Sequence, residues 1–121
     1  MSVIDDPGSA FDLTVPVVVI GGGACGLVAA LSAHDNGAEV IVLERDPVPK
    51  GSTALSSGMI TACGTALQKA ADIDDDTAEL FARDIQSKAG GKADPHLLAA
   101  ICAGSGPAID WLIECHNMDL V

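Results

Sequence analysis

Apolar residues are distributed along this chain in two different ways. In the first third they come in nearly unbroken runs: Val17, Val18, Val19 and Ile20, then residues 27–33 with Ser32 the only polar member, then Val40, Ile41, Val42 and Leu43. Short β-branched runs bounded by turn residues predict buried strands at 17–20 and 39–43. The run between them, with small Ala30 and Ala33, predicts a helix lying close on their sheet and ending at Asn36 and Gly37. Beyond residue 74 the apolar positions become periodic instead. Leu80, Phe81 and Ile85 share one face of a helix predicted from about residue 77 to 89, which Asp74, Asp75 and Asp76 open and Gly90 and Gly91 end. Asp94 before Pro95 predicts the cap and first turn of a further helix carrying Leu97, Leu98 and Ile101. Gly104, Ser105, Gly106 and Pro107 predict a break or kink there. A separate helix then carries Ile109, Leu112 and Ile113, with Trp111 beside them as a core residue rather than a stacking platform, and fades at His116 and Asn117.

The remaining stretches carry weaker patterns. Residues 1–13, with Asp5, Asp6, Pro7 and Gly8, are polar and turn-rich and are expected to form a loose leader before a domain over 14–121. Pro47 and Pro49 forbid regular structure after the second strand. Residues 59–71 lack a clear period and predict irregular structure with a turn of helix near 66–71, and an extended segment begins at Met118.

Candidate chemistry sits where the first strand ends. Gly21, Gly23 and Gly26 form a G-x-G-x-x-G turn between strand and helix: Gly21 permits the tight turn, Gly23 lets backbone approach a pyrophosphate, and Gly26 lets helix and strand pack closely. A diphosphate would rest on the helix N-terminus, among free N–H groups at the positive end of the dipole. Cys25 lies in the same turn as a small residue tolerated beside the ligand. Glu44 ends the second strand 18 positions after Gly26, close to the ~20 at which an acid reaches a ribose hydroxyl. Residues 51–58, rich in serine, threonine and glycine, offer N–H groups and hydroxyls to a planar polar ligand.

Composition narrows the function classes. With 121 residues the chain suffices for one small domain, and 49 % hydrophobic with only 2 % aromatic residues means a core of Ala, Val, Ile and Leu, as in layered α/β folds. A formal charge of −11 repels nucleic acid and anionic membranes, so any dinucleotide is held by backbone groups. No apolar run approaches a membrane span, and acids stand where a signal peptide carries Lys or Arg, which predicts a soluble cytoplasmic chain. Cys25, Cys63, Cys102 and Cys115 show no metal-like spacing with His34, His96 or His116, so no metal site is expected. Cys115 beside His116 reads as a buried thiol next to a surface histidine, and the Asp74–Asp76 cluster as capping and solvation. Two strands leave a doubly wound sheet with open edges, which suggests the front part of something larger.

The order Gly21, Gly23, Gly26, Glu44 and then Gly51, Ser52, Thr53, Ala54, Leu55, Ser56, Ser57, Gly58 resembles the N-terminal FAD-binding region of the fumarate reductase and succinate dehydrogenase flavoproteins, a family that includes flavocytochromes c and ketosteroid dehydrogenases. Similarity extends from about Val17 to the C-terminus. Lys50 stands where that family has the first glycine of a Gly-Gly pair, and Met59 where it has a second glycine after Ser57. The resemblance implies an incomplete Rossmann-like βαβ start with following helices, an α/β fragment of a larger FAD-binding domain. It implies that Gly21, Gly23, Cys25 and Gly26 hold the FAD pyrophosphate, Glu44 the adenosine ribose, and Ser52, Thr53, Ser57 and Gly58 the flavin side. Ser52 occupies the position of the flavin-linking histidine of membrane-bound relatives, which implies noncovalent FAD. The family's substrate and proton-donating residues belong to later regions and a capping domain, so the resemblance implies no catalytic residue among these 121. The implied activity is hydride transfer at a C–C bond of a small carboxylic acid or ketone. A stand-alone nicotinamide-binding module is the alternative, although such a module has no need of residues 51–58, and a ligand-free pseudo-domain is a third reading.

Overall fold

The computed structural model describes Gly8 and residues 10–48 and 50–120. They form two compact units divided between Met59 and Ile60. Most of the expected leader and the terminal Val121 lie outside the described residues.

The first unit is a small parallel sheet with a helix on it. Strands β1 (Val17–Ile20) and β2 (Val40–Leu43) pair in parallel, Val17 opposite Val40 through Ile20 opposite Leu43, joined by helix α1 (Ala24–Asp35). Parallel neighbours need such a crossover because a tight turn can only reverse the chain. Helix α1 ends at Asn36, and Gly37 takes the left-handed φ of +81° that lets its N–H reach the His34 carbonyl at 2.8 Å. Burial differs from expectation. Val17 and Val19 are half-buried, whereas Val18 is 52 % and Ile20 87 % exposed, because α1 covers one face of the sheet and, among the described residues of this unit, no helix packs on the other. Glu39 falls outside β2, and Ser52–Leu55 within the expected loop form a single helical turn, α2.

The second unit is helical: α3 (Ala66–Ala70), α4 (Ala78–Lys88) and α5 (Pro95–His116). Each start is capped. Thr65 and Gln68 form a capping box on α3, Thr77 accepts the Leu80 N–H at 3.2 Å, and Asp94 accepts those of His96 and Leu97 at 2.9 and 3.0 Å. Asp76 of the acid cluster accepts from the Gln68 side chain, so the cap of α4 is Thr77 rather than an aspartate. The core gathers Cys63, Thr65, Leu98, Cys102, Gly106 and Ile109, and α4 packs on α5.

The expected break at residues 104–107 does not occur, since α5 runs unbroken through Pro107. Proline costs this helix the N–H that would reach the Ala103 carbonyl. External contacts hold the strand of helix in place regardless: the Ser105 hydroxyl accepts the Cys63 N–H at 3.2 Å, Gly106 lies on the Cys63 carbonyl, and the Asp110 carboxylate accepts the Ala66 N–H at 2.9 Å. The continuous helix therefore has 22 residues with a mean hydropathy of 1.3 over its most apolar window, long and apolar enough by length and composition to cross a membrane, contrary to the expectation from the apparent break. Cys115 is exposed rather than buried, because it lies off the Cys102–Ile109 stripe, while His116 is half-buried edge-on against Trp111 with ring centroids 4.6 Å apart. Residues 118–120 form no strand.

Candidate functional site

The glycine turn, the end of β2 and α2 meet in a cleft of about 230 Å³ lined by Gly22, Gly23, Leu27, Glu44, Arg45, Asp46, Gly51, Thr53 and Ala54. Three backbone requirements shape it. Gly21 has φ +105°, a conformation a side chain rarely adopts, and its N–H reaches back to the Leu43 carbonyl at 2.8 Å, joining the turn to β2. A Cβ on Gly22 would stand 3.1 Å from Glu44 Oε2. A Cβ on Gly26 would collide with the Gly21 carbonyl and lie 3.1 Å from Val19 Cγ1, so the helix can approach the strand this closely only because position 26 has no side chain.

Glu44 faces the turn from the end of β2. Its Oε2 accepts the Gly22 N–H at 2.6 Å and its Oε1 the Asp46 N–H at 3.1 Å, so the carboxylate is held from both sides while each oxygen keeps a lone pair for another donor. The Asp46 N–H first, then the Gly22 N–H, with smaller help from Arg45, lower its pKa below the ordinary 4.5. The sign follows directly. A lowered folded-state value means that the carboxylate's hold on the turn is fully present above pH 4.5 and is lost as pH falls through the lower folded value. A ¹³C titration should therefore place the Glu44 carboxyl midpoint below 4.5, with the Gly22 amide shifting in the same step; a midpoint at or above 4.5 would contradict this anchoring.

On the opposite wall, Thr53 Oγ1 accepts the Ala24 N–H at 3.0 Å and so stands at the first turn of α1. The following N–H groups of Cys25 and Gly26 belong to the part of a helix that has no intrahelical acceptors, the place where an anion is held. These residues fit a dinucleotide. A turn that excludes a side chain at position 26 and crowds one at position 22, a helix start and a fixed carboxylate are the donor and acceptor set that a diphosphate and an adjoining ribose require. The cleft is smaller than the ~300–1,000 Å³ of complete small-molecule sites, so it matches part of such a cofactor.

Of the residues singled out from sequence, Gly23, Glu44 and Thr53 line the cleft together, and Gly21 and Gly26 shape it from behind. Cys25 is exposed at the start of α1, and Ser52, Ser57 and Gly58 are exposed and outside the cleft, Gly58 with φ +79°. Sequence inspection did not single out Gly22, whose N–H holds Glu44. The run of three glycines was the available signal. Ser56, part of the hydroxyl-rich 51–58 stretch but not assigned to the ligand, donates its hydroxyl to the Thr53 carbonyl at 2.9 Å and accepts the Gly58 N–H at 3.2 Å.

Residues 16–121 match the FAD binding domain family. The chain is 39 % identical over 99 residues to a fumarate reductase (cytochrome) of Shewanella frigidimarina, covering 82 % of this chain and 17 % of that protein. It is 37 % identical over 99 residues to a urocanate reductase of Eggerthella lenta, covering 82 % of this chain and 16 % of that one. Among solved structures it is similar to a 3-ketosteroid-Δ4-(5α)-dehydrogenase from Rhodococcus jostii RHA1 in complex with 4-androstene-3,17-dione, with a TM-score of 0.77 and 36 % identity over 90 % of this chain and 23 % of that one. The chain thus spans about one-sixth of the length of the two reductases.

Proposed function

The chain belongs to the FAD binding domain family, so its cofactor is FAD, and we propose that it is the Rossmann-like front part of an FAD-dependent oxidoreductase of fumarate reductase type. The observation that carries this reading is the Glu44 carboxylate fixed against the Gly22 N–H across a turn that admits no side chain at Gly26. In this assignment the backbone at Gly21, Gly23, Cys25 and Gly26 binds the diphosphate, Glu44 accepts the adenosine ribose hydroxyls, and Ser52, Thr53, Ser57 and Gly58 face the flavin half. Bound FAD supplies two-electron chemistry at a C–C bond. This chain's share is to anchor and orient: the turn neutralises diphosphate charge with N–H groups, and Glu44 sets the adenosine end in register.

Fumarate and urocanate, named for two relatives, both carry a C=C bond conjugated to a carboxylate, which supports a small unsaturated carboxylic acid as substrate class, and the dione held by the similar ketosteroid dehydrogenase supports a ketone. Substrate and proton-donating residues then come from a substrate or capping region outside this chain. A cytoplasmic location, with no nucleic-acid or membrane partner, is part of the same proposal. It is supported by the charge of −11 and by the packing of α5 on α4 and on the segment before α3. A nicotinamide-binding module is not favoured, since the family match runs through the hydroxyl-rich stretch at 51–58.

Two measurements test the assignment in the longer protein that carries these residues. Acid precipitation should release all FAD into the supernatant, because Ser52 offers no imidazole for a covalent link; flavin left on the denatured polypeptide would refute noncovalent binding. Glu44→Ala should weaken FAD about 10- to 100-fold, the range for hydrogen bonds to a charged acceptor, and Glu44→Gln less. An unchanged dissociation constant would leave Glu44 as a turn anchor alone.

A further inference from the structure

In the second unit, two cysteines that the cofactor site does not use lie against each other. Cys63, 5 % exposed, precedes α3, and Cys102, 2 % exposed, lies in the middle of α5; both are free thiols. The Cys63 thiol donates to the Cys102 carbonyl at 3.3 Å and lies 3.6 Å from the Ser105 hydroxyl, which itself donates to the Cys102 carbonyl at 3.0 Å. The Cys63 N–H is fixed on Ser105, and its carbonyl rests where Gly106 leaves room for it. Backbone and side chain of Cys63 are thus both held against α5 within one side chain's reach of Cys102, and a disulfide would need the Cys63 sulfur to turn from the Cys102 carbonyl to the Cys102 sulfur.

We propose that Cys63 and Cys102 form a redox-responsive pair, in which a two-electron thiol oxidant closes a disulfide that staples the segment before α3 onto α5. With diamide as the oxidant, the Cys63 sulfur adds to its N=N bond. The Cys102 sulfur then displaces the nitrogen from Cys63, forming S–S while the released hydrazine carries off both electrons and both thiol protons. Cys63 reacts first because it lies outside the helices and is the less buried of the two. Burial and the neighbouring Cys63 push the Cys102 thiol up, so it is the poorer first nucleophile. In a reducing compartment the pair stays open and hydrogen bonds alone hold the segment on α5. Once closed, the bond links positions 39 residues apart and removes many unfolded conformations, so it resists unfolding of this unit.

The test is diamide treatment of the full chain, alkylation of remaining thiols in denaturant, and peptide mapping. The expected result is one linked pair of peptides containing Cys63 and Cys102, lighter by two hydrogens, together with an unfolding midpoint raised by roughly 5–15 °C that dithiothreitol reverses. Cys63→Ala and Cys102→Ser should each abolish both signals. Recovery of both residues as separately alkylated thiols, pairing of either with Cys25 or Cys115, or a correct link without a change in midpoint would overturn the proposal.

Discussion

Gly26→Ala in the proposed full-length oxidoreductase is expected to yield polypeptide that purifies almost free of FAD, with affinity reduced roughly 100-fold or more. The added Cβ would run into the Gly21 carbonyl and come within 3.1 Å of Val19 Cγ1, and neither partner can easily withdraw. Gly21 is already in a conformation that only glycine adopts readily, with its N–H tied to the Leu43 carbonyl, and Val19 is paired with Val42 in the sheet. Helix α1 must therefore move off β1, which displaces the N–H groups of its first turn from the diphosphate position and separates Gly22 from Glu44. Because sites of this kind depend on placement to within a fraction of an ångström, a shift of that size removes most of the binding. Equilibrium dialysis with FAD checks the affinity, and far-ultraviolet circular dichroism checks that the helices persist. FAD retention near the parental level would mean that close contact of α1 and β1 is not what positions the cofactor.

Gly106→Ala should be the most damaging single-methyl change in the helical unit, costing about 2–4 kcal/mol in folding stability, at or just above the upper end for overpacking a tight contact. Alanine ordinarily favours a helix over glycine by up to about 1 kcal/mol, so propensity alone predicts the opposite sign. Packing decides the outcome. The new methyl would press on the Cys63 carbonyl, which is backbone and is held in place by the Cys63 N–H on Ser105. Gly104→Ala, two residues earlier on the same helix with open space around its Cα, is the matched control and should be neutral or stabilising. Urea unfolding of both variants separates the explanations: equal behaviour would show that Gly106 is merely a poor helix former. These two substitutions act in different units through the same physics, a glycine retained because another backbone occupies the side chain's place.

Local sequence determined most of the regular structure here. Runs of β-branched residues placed β1 and β2 within a residue of where they lie, and Asn36–Gly37, Gly90 and the Asp94–Pro95 cap are local stop and start signals. The spacing of Gly21, Gly23, Gly26 and Glu44 was sufficient to point to a dinucleotide, because the glycines act through local backbone geometry and Glu44 through its place at the end of a strand. What local sequence could not supply was anything set by distant partners. Gly104 to Pro107 carry every mark of a helix break, yet α5 continues, because Cys63 and Ala66, some 40 positions earlier in the chain, dock on Ser105 and Asp110. The exposure of Val18 and Ile20 depends on which layers cover the sheet, and that is a property of the fold rather than of four valine-like residues. Glu44 shows the division most clearly: its position at the end of β2 marked it as an acid for a ribose, but only the parallel register, which brings Leu43 opposite Ile20, carries its carboxylate onto the Gly22 N–H.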